Sequence, residues 1–434
     1  MNVAVIVLDT MRKDVFDEHF DWLPGVRYEE AYSTGSYTVP AHGSLFTGAY
    51  PSEVGAHSQH EYLPDDRPTL AGLLSDAGYR TRCFSANPLI SHLFEFTRGF
   101  DETEYGWHIL NALPETYNWS KDGFFSGPLR YPESVVRAVL DGDSRTLQSL
   151  KAGYEMFRAE DDGAAHFLRK LRSWSFGESE FLFANLMEVH SPYWAPPEYA
   201  TTDARSVDMY ADSEEVLAGD FDSELFWRAY NDCARYLSEM YRDIFDELTD
   251  EFDVVVTLSD HGELFGEHDL AGHRYGLYDE LTHVPLVVSD GRGGRETVRE
   301  TASLVDVFQT VLGLCDVDAP AETAGHDLRA LPSDREAMTE FHGLRPLTFD
   351  QLRENGFPAQ DVERYDEKLR GIAFAGYYGH EDVSGFVEYA DPGGVDPRSR
   401  LDAHARDSAT VGTPRADREL ADSTKSQLSK LGYI

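Results

Sequence analysis

Residues 3–8 (VAVIVL) form a continuous apolar run rich in β-branched side chains, the pattern of a strand buried on both faces. Similar short runs recur at 79–85, 181–188, 252–258 and 284–288, and each predicts a strand. Between them lie stretches with helical spacing: 68–78, closed by Gly78, then 154–173, 222–248 and 302–314. Strand and helix alternate. This predicts an α/β fold with a mostly parallel central sheet and helices on both faces. Residues 103–150 have neither period and are expected to form an irregular loop or lid insertion. Beyond about residue 330 the alternation stops. Residues 369–389 read as two or more antiparallel strands with a turn near 379–382, residues 391–418 as a loosely ordered excursion, and residues 423–431 as a closing helix. The expected organisation is a catalytic domain over 1–330 and a smaller α+β subdomain with an antiparallel sheet over 331–434. No internal repeat is present.

Charge changes the picture. Asp and Glu total 78 against 38 Lys and Arg, a net charge of −40, yet 12% of the residues are aromatic and apolar runs continue along the chain. The chain is therefore expected to fold, with a strongly acidic surface that salt must screen, which is a halophile's pattern. Such a surface argues against nucleic acid or an anionic membrane as partner. It also requires a local positive site, such as a metal, to draw in an anionic substrate. The cysteines, Cys83, Cys233 and Cys315, are odd in number and match no metal motif, which points to reduced thiols and a cytoplasmic location. The apolar run at the start stops at Leu8, short of a signal-peptide core, and no segment reads as transmembrane.

Polar residues with no evident packing role stand out at strand ends, where parallel α/β sheets place their ligands. Asp9 follows 3–8. Ser259-Asp260-His261-Gly262-Glu263 follows 252–258 and pairs a hard oxygen with an imidazole, a mixture suited to Zn²⁺ or Mn²⁺ and tolerable for Mg²⁺ or Ca²⁺. Residues 35–48 (GSYTVPAHGSLFTG) place a hydroxyl, Thr38, before a helix-like run, where anions are favoured and a metal can activate it. His190 and His273 lie in further polar segments. Taken singly, Asp9 and Thr38 read more readily as helix caps, Asp260 and His261 equally as a turn, and each of the other histidines more readily as a surface or satisfied residue.

Together and in order, VIVLDTMRKD, YTVPAHGSLFTGAYPSEVGAH, MEVHSPYWAPP, TLSDHGELFGEHDLAGH, LYDELTHVPLVV and SLVDVFQTVLGL resemble the sulfatase family of the alkaline phosphatase superfamily. The resemblance implies Asp9, Asp260 and His261 as ligands of one divalent metal ion (Ca, Mg, Mn or Zn), with the Thr38 hydroxyl as a fourth ligand. It implies His190, His273 and His42 as groups that bind the ester oxygens or move its protons. Thr38 stands where sulfatases carry the Cys or Ser that becomes formylglycine, His42 where they carry Arg, His273 where they usually carry Lys, and Thr10 where a second metal Asp is common. Thr38 cannot become formylglycine, so its adduct must be opened by a second in-line attack, a route familiar for phosphoryl groups.

The expected function is a metal-dependent sulfatase-like hydrolase of haloarchaeal type that cleaves sulfate or phosphate esters through a threonine nucleophile. Its substrate would be a small anionic ester, on a glycan or a lipid head group. Two alternatives are a phosphoethanolamine- or phosphoglycerol-type transferase to an alcohol acceptor and a non-catalytic binder of anionic ligands on the same fold.

Overall fold

The apolar run 3–8 lies at the middle of an eight-stranded sheet. In this computed structural model the described residues are all but 114–115, 118, 120–130, 142–143, 159–160, 203–221, 292, 355–357 and 408–434. The strands are β1 (Val3–Leu8), β2 (Gly25–Tyr28), β3 (Ala31–Tyr32), β4 (Arg80–Ser85), β5 (Glu102–Tyr105), β6 (Glu180–Leu186), β7 (Val254–Leu258), β8 (Leu264–Phe265), β9 (Ala271–Gly272), β10 (Leu286–Ser289), β11 (Arg295–Val298) and β12 (Ala302–Ser303). A second group comprises β13 (Ala337–His342), β14 (Lys368–Phe374), β15 (Tyr377–Asp382) and β16 (Gly385–Glu388).

The main sheet runs β11-β2-β10-β7-β1-β6-β4-β5. Its centre is parallel: β1 pairs with β6 on one side and β7 on the other, and β6 continues through β4 to β5. Only β10 runs against its neighbours β7 and β2. Every residue of β1, β6 and β7 is buried, so both faces of the sheet are covered, as continuous rather than alternating apolar runs require. The helix Thr38–Thr47 packs with Leu304–Leu314 and Leu70–Asp76. A second set joins Ser223–Glu251 to Ala164–Ser173 and Lys13–His19. Asp222 caps the long helix by accepting from the Leu225 N–H, and at the start of Leu304–Leu314 Asp306 Oδ2 accepts from the Ser303 N–H at 2.7 Å.

The second sheet is antiparallel, in the order β13-β14-β15-β16. It does not stand apart. Glu340 N donates to the Thr34 carbonyl at 2.9 Å, and Tyr32 shares a core with Ala337, Ala373 and Tyr378. Gly48 ends the helix Thr38–Thr47 in the left-handed region at φ 68°, where a Cβ would also strike Phe308 at 2.5 Å, so only glycine fits.

Several expectations are corrected. The described part of residues 103–150 is largely regular: it carries most of β5, the helices Trp107–Ala112 and Tyr131–Leu140, and the start of Thr146–Arg158. These helices bury Ile109, Ala138 and Ala152 against Trp119 in a small core of their own. Helix 154–173 is two helices, broken between Arg158 and Ala164. The turn expected near 379–382 lies inside β15. The chain reverses instead at Ala375-Gly376, both at positive φ, and after Asp382. The excursion 391–418 contains the helix Pro397–Asp407, and the closing helix 423–431 falls outside the described residues.

Candidate active site

Because β1 and β7 are adjacent and parallel, their C-terminal ends lie side by side and deliver Asp9 and Asp260-His261 to one place. Thr10 bends the chain out of β1 in the left-handed region at φ 65°. That bend lets its N–H donate to Asp260 Oδ1 at 3.2 Å and its hydroxyl to Asp9 Oδ1 at 3.0 Å. Ser259 ties the two ends together. Its Oγ accepts from the Met11 N–H at 2.9 Å and donates to the His261 carbonyl at 2.7 Å.

One ligand atom each from Asp9, Asp260 and His261 fall within 4.8 Å of one another, all buried. His261 Nδ1 donates to the Gly262 carbonyl at 2.9 Å, which leaves Nε2 as a bare lone pair facing inward. Nε2 lies 3.5 Å from Asp260 Oδ2 and 3.9 Å from Asp9 Oδ1. Asp260 Oδ2 is buried without a hydrogen-bond partner among the described residues. An orphaned carboxylate oxygen, a second carboxylate and an aimed imidazole fit a divalent cation.

Thr38 opens the helix Thr38–Thr47, whose N-terminus has no side-chain cap and presents free N–H groups. Its Oγ1 lies 3.4 Å from His261 Nε2. Thr38, Asp9, Asp260 and His261, far apart in sequence, are thus brought together.

The electrostatics follow from burial. For Asp260, desolvation and the charge of Asp9 push the carboxyl well above its usual range. For Asp9, desolvation is outweighed by His190, His261 and His42 and by the Asn185 amide, and its pKa falls. Two carboxylates of which only one ionises readily are short of positive charge.

His42 is fully buried, edge-on to Phe46 and Phe183. Its Nδ1 donates to the Thr38 carbonyl one turn back at 2.9 Å, and its Nε2 lies 3.4 Å from Asn185 Nδ2. Desolvation lowers its pKa to about 4, so the ring is neutral where sulfatases carry a fixed positive charge. It backs the carboxylate pair, with Nδ1 3.5 Å from Asp260 Oδ2.

His190 follows β6 and donates from Nδ1 to the Ser191 carbonyl at 2.7 Å. The His273 ring centroid is 5.3 Å from that of His190 and 4.5 Å from that of His261. Desolvation, then His261 and His190, hold the His273 pKa well below its ordinary value. The three imidazoles thus line one side of the carboxylate pair.

Two residues were missed by sequence reasoning. Asn87, just past β4, and Asn185, in β6, donate from Nδ2 to Asp9 Oδ2 at 2.8 and 2.9 Å. Asn87 Nδ2 also reaches Thr38 Oγ1 at 3.3 Å. Their signal was present: an amide inside an otherwise apolar strand, and another at a strand's C-terminal end. Glu263, quoted only as part of its motif, accepts from the Tyr193 hydroxyl and pairs with His273, each at 2.9 Å.

Comparison with known proteins bears on the family and the fold. The chain is 24% identical over 346 residues to an uncharacterised sulfatase, YidJ, of Escherichia coli, covering 73% of this chain and 66% of that protein. It is 22% identical over 377 residues to arylsulfatase K of Gallus gallus, covering 74% and 64%. The chain therefore spans about two thirds of the length of these relatives. Among solved structures, a phosphonate monoester hydrolase from Silicibacter pomeroyi superposes with a TM-score of 0.63 at 19% identity, covering 94% of this chain and 92% of that one. A structure holding D-glucosamine-2-N,6-O-disulfate superposes with a TM-score of 0.58 at 14% identity, covering 94% and 95%. Among the described residues no helix is long and apolar enough to cross a membrane. The model of the sulfatase family matches residues 18–317, and the chain belongs to that family.

Proposed function

We propose that this chain is a metal-dependent hydrolase of sulfate or phosphate esters in which Thr38 is the nucleophile. The observation that carries the reading is the Thr38 hydroxyl, at a helix N-terminus and 3.4 Å from the inward-facing Nε2 of His261, beside the buried Asp9–Asp260 pair. Asp9, Asp260 and His261 would hold the divalent cation, which when bound supplies the positive charge that the two carboxylates lack and polarises the ester.

The chain's own residues then have distinct tasks. Asn87 and Asn185 fix the Asp9 carboxylate, and Asn87 also orients the Thr38 hydroxyl. His42 supports the pair from behind. The Thr38 hydroxyl gives up its proton to solvent as Oγ attacks sulfur or phosphorus, a bond to Oγ forms, and the bond to the leaving alcohol's oxygen breaks. His273 or His190 delivers the proton that the leaving oxygen needs. Water then opens the Thr38 adduct and returns the threonine.

A substrate on a sulfated or phosphorylated sugar fits the structural neighbour that holds a disulfated glucosamine. Phosphoesters are favoured over sulfate esters because Thr38 cannot form the aldehyde hydrate that makes sulfate release easy. The same adduct would permit transfer to an alcohol acceptor in place of water. The three buried free cysteines fit a cytoplasmic enzyme. The test is turnover of aryl sulfate, phosphate monoester and phosphodiester in molar salt with Mg²⁺, Ca²⁺, Mn²⁺ or Zn²⁺, before and after Thr38→Ala. The expected loss is about 10³-fold or more. Undiminished turnover by Thr38→Ala at saturating metal would refute the reading.

A further inference from the structure

His273 stands where a lysine is usual, and the two side chains pose different problems. An ammonium carries three equivalent protons and works in any rotation. An imidazole works only if the correct nitrogen faces the reacting atom, so something must fix its ring and its tautomer. The structure supplies that group. Glu263 is 1% exposed and anchors His273 Nδ1 through Oε1 at 2.9 Å, while its Oε2 accepts the Tyr193 hydroxyl, also at 2.9 Å. Tyr193 is buried too, and its ring packs edge-on against Tyr230 with centroids 5.5 Å apart. Both oxygens of the carboxylate are thus committed, and the proton on Nδ1 has one acceptor. The far edge of the His273 ring, with Nε2, is left for the site it shares with His261 and His190.

We propose that Glu263, braced by Tyr193, is a positioning residue that fixes His273 as the Nδ1–H tautomer and aims its Nε2 at the leaving oxygen of the ester. The inference rests on the reaction proposed above for the leaving group. In that reaction the ring, neutral at rest, takes a second proton from solvent at Nε2 as the anionic ester binds, and passes it to the leaving oxygen as the bond to sulfur or phosphorus breaks. The neutral Nε2 then takes a proton from the attacking water and hands it to Thr38 Oγ as the adduct opens, so the ring ends as it began. Nδ1 keeps its proton throughout because Glu263 holds it.

The experiment uses the full chain with its metal bound and three variants, Glu263→Ala, Glu263→Gln and Tyr193→Phe. Each is assayed on a nitrophenyl ester, whose leaving group needs no proton, and on an alkyl ester, whose leaving group does. Glu263→Ala is expected to lose about 10- to 100-fold in kcat on the alkyl ester and less than about threefold on the nitrophenyl ester. Glu263→Gln, whose amide oxygen still accepts from Nδ1, should recover most of the loss. Tyr193→Phe should fall between wild type and Glu263→Ala. Equal losses on the two esters would mark a merely structural role and overturn the proposal. A second readout does not depend on turnover. In ¹⁵N-histidine-labelled protein, the His273 signal, assigned against His273→Gln, should show Nδ1 protonated in the wild type and lose that bias in Glu263→Ala. An unchanged tautomer in Glu263→Ala overturns the proposal even if the chain hydrolyses neither ester, whereas loss of the bias in an inactive chain leaves Glu263's role standing and refutes only the reaction.

Discussion

Asp260→Asn separates the two forces that act at the carboxylate pair. In the metal-free protein Asp260 is buried beside Asp9, and desolvation together with the Asp9 charge raises its pKa well above the usual range. The sign follows from linkage. A carboxyl with a raised folded pKa binds its proton more tightly folded than unfolded, so it costs stability as pH rises above its unfolded value. At pH 8 the wild type therefore carries this penalty and Asp260→Asn does not. The amide keeps Oδ1 for the N–H groups of Thr10 and His261 and puts a neutral NH₂ where the unpartnered Oδ2 was. The variant should be at least as stable as the metal-free wild type. The metal-loaded proteins should differ in the opposite sense. An ion at 100 times its Kd stabilises the native state by about 2.7 kcal/mol. For 434 residues, an unfolding entropy of about 2.1 cal/mol/K per residue sums to about 0.9 kcal/mol/K, so the wild-type Tm should rise by about 3 °C. Asp260→Asn should show little or none of that rise. The assay is differential scanning fluorimetry at pH 8 with chelator and then with excess Mn²⁺ or Zn²⁺. A variant that melts well below the metal-free wild type, or that keeps the full metal shift, would refute the reasoning.

Two further predictions concern charge elsewhere. With a net charge of −40, Tm should rise by several degrees between dilute buffer and molar KCl as the screening length falls from about 10 Å at 0.1 M to about 3 Å; an unchanged Tm contradicts the halophilic reading. Glu188 is buried, with Oε1 on the Ala164 N–H at 2.6 Å and Oε2 unpartnered among the described residues, and desolvation and Asp161 raise its pKa well above the ordinary value. Stability should therefore fall as pH rises through that raised pKa, and Glu188→Gln should melt higher than wild type at pH 9 by more than at pH 5; parallel melting curves for the two proteins across this range would contradict it.

What the sequence disclosed depended on whether one segment carried the whole signal. VAVIVL is readable because a strand buried on both faces needs no alternation, and Asp9 and Asp260-His261 are readable because they interrupt apolar runs at strand ends. Asn185 was passed over because it lies inside its strand, and only the neighbouring Asp9 explains a buried amide there. Gly379 suggested a turn, but it sits in β15 because a Cβ would collide with Tyr377 and Phe386. Close packing and chain reversal both select glycine, and local pattern does not tell them apart. The helices within 103–150 escaped because their partner, the Trp119 core, is assembled from segments tens of residues apart. The neutral state of His42 was likewise invisible, since it follows from the Phe46 and Phe183 rings that pack on it.

The proposed ligands stand at the ends of β1 and β7, and the contact that joins those ends, Thr10 to Asp260, spans 250 residues of chain. No local segment holds Asp9 together with Asp260 and His261, so this three-ligand site does not exist until β1 has found β7. Metal cannot template the fold. It should slow the escape from the native state while leaving the rate of refolding from denaturant unchanged, so that all of its effect appears on the unfolding limb of a chevron plot.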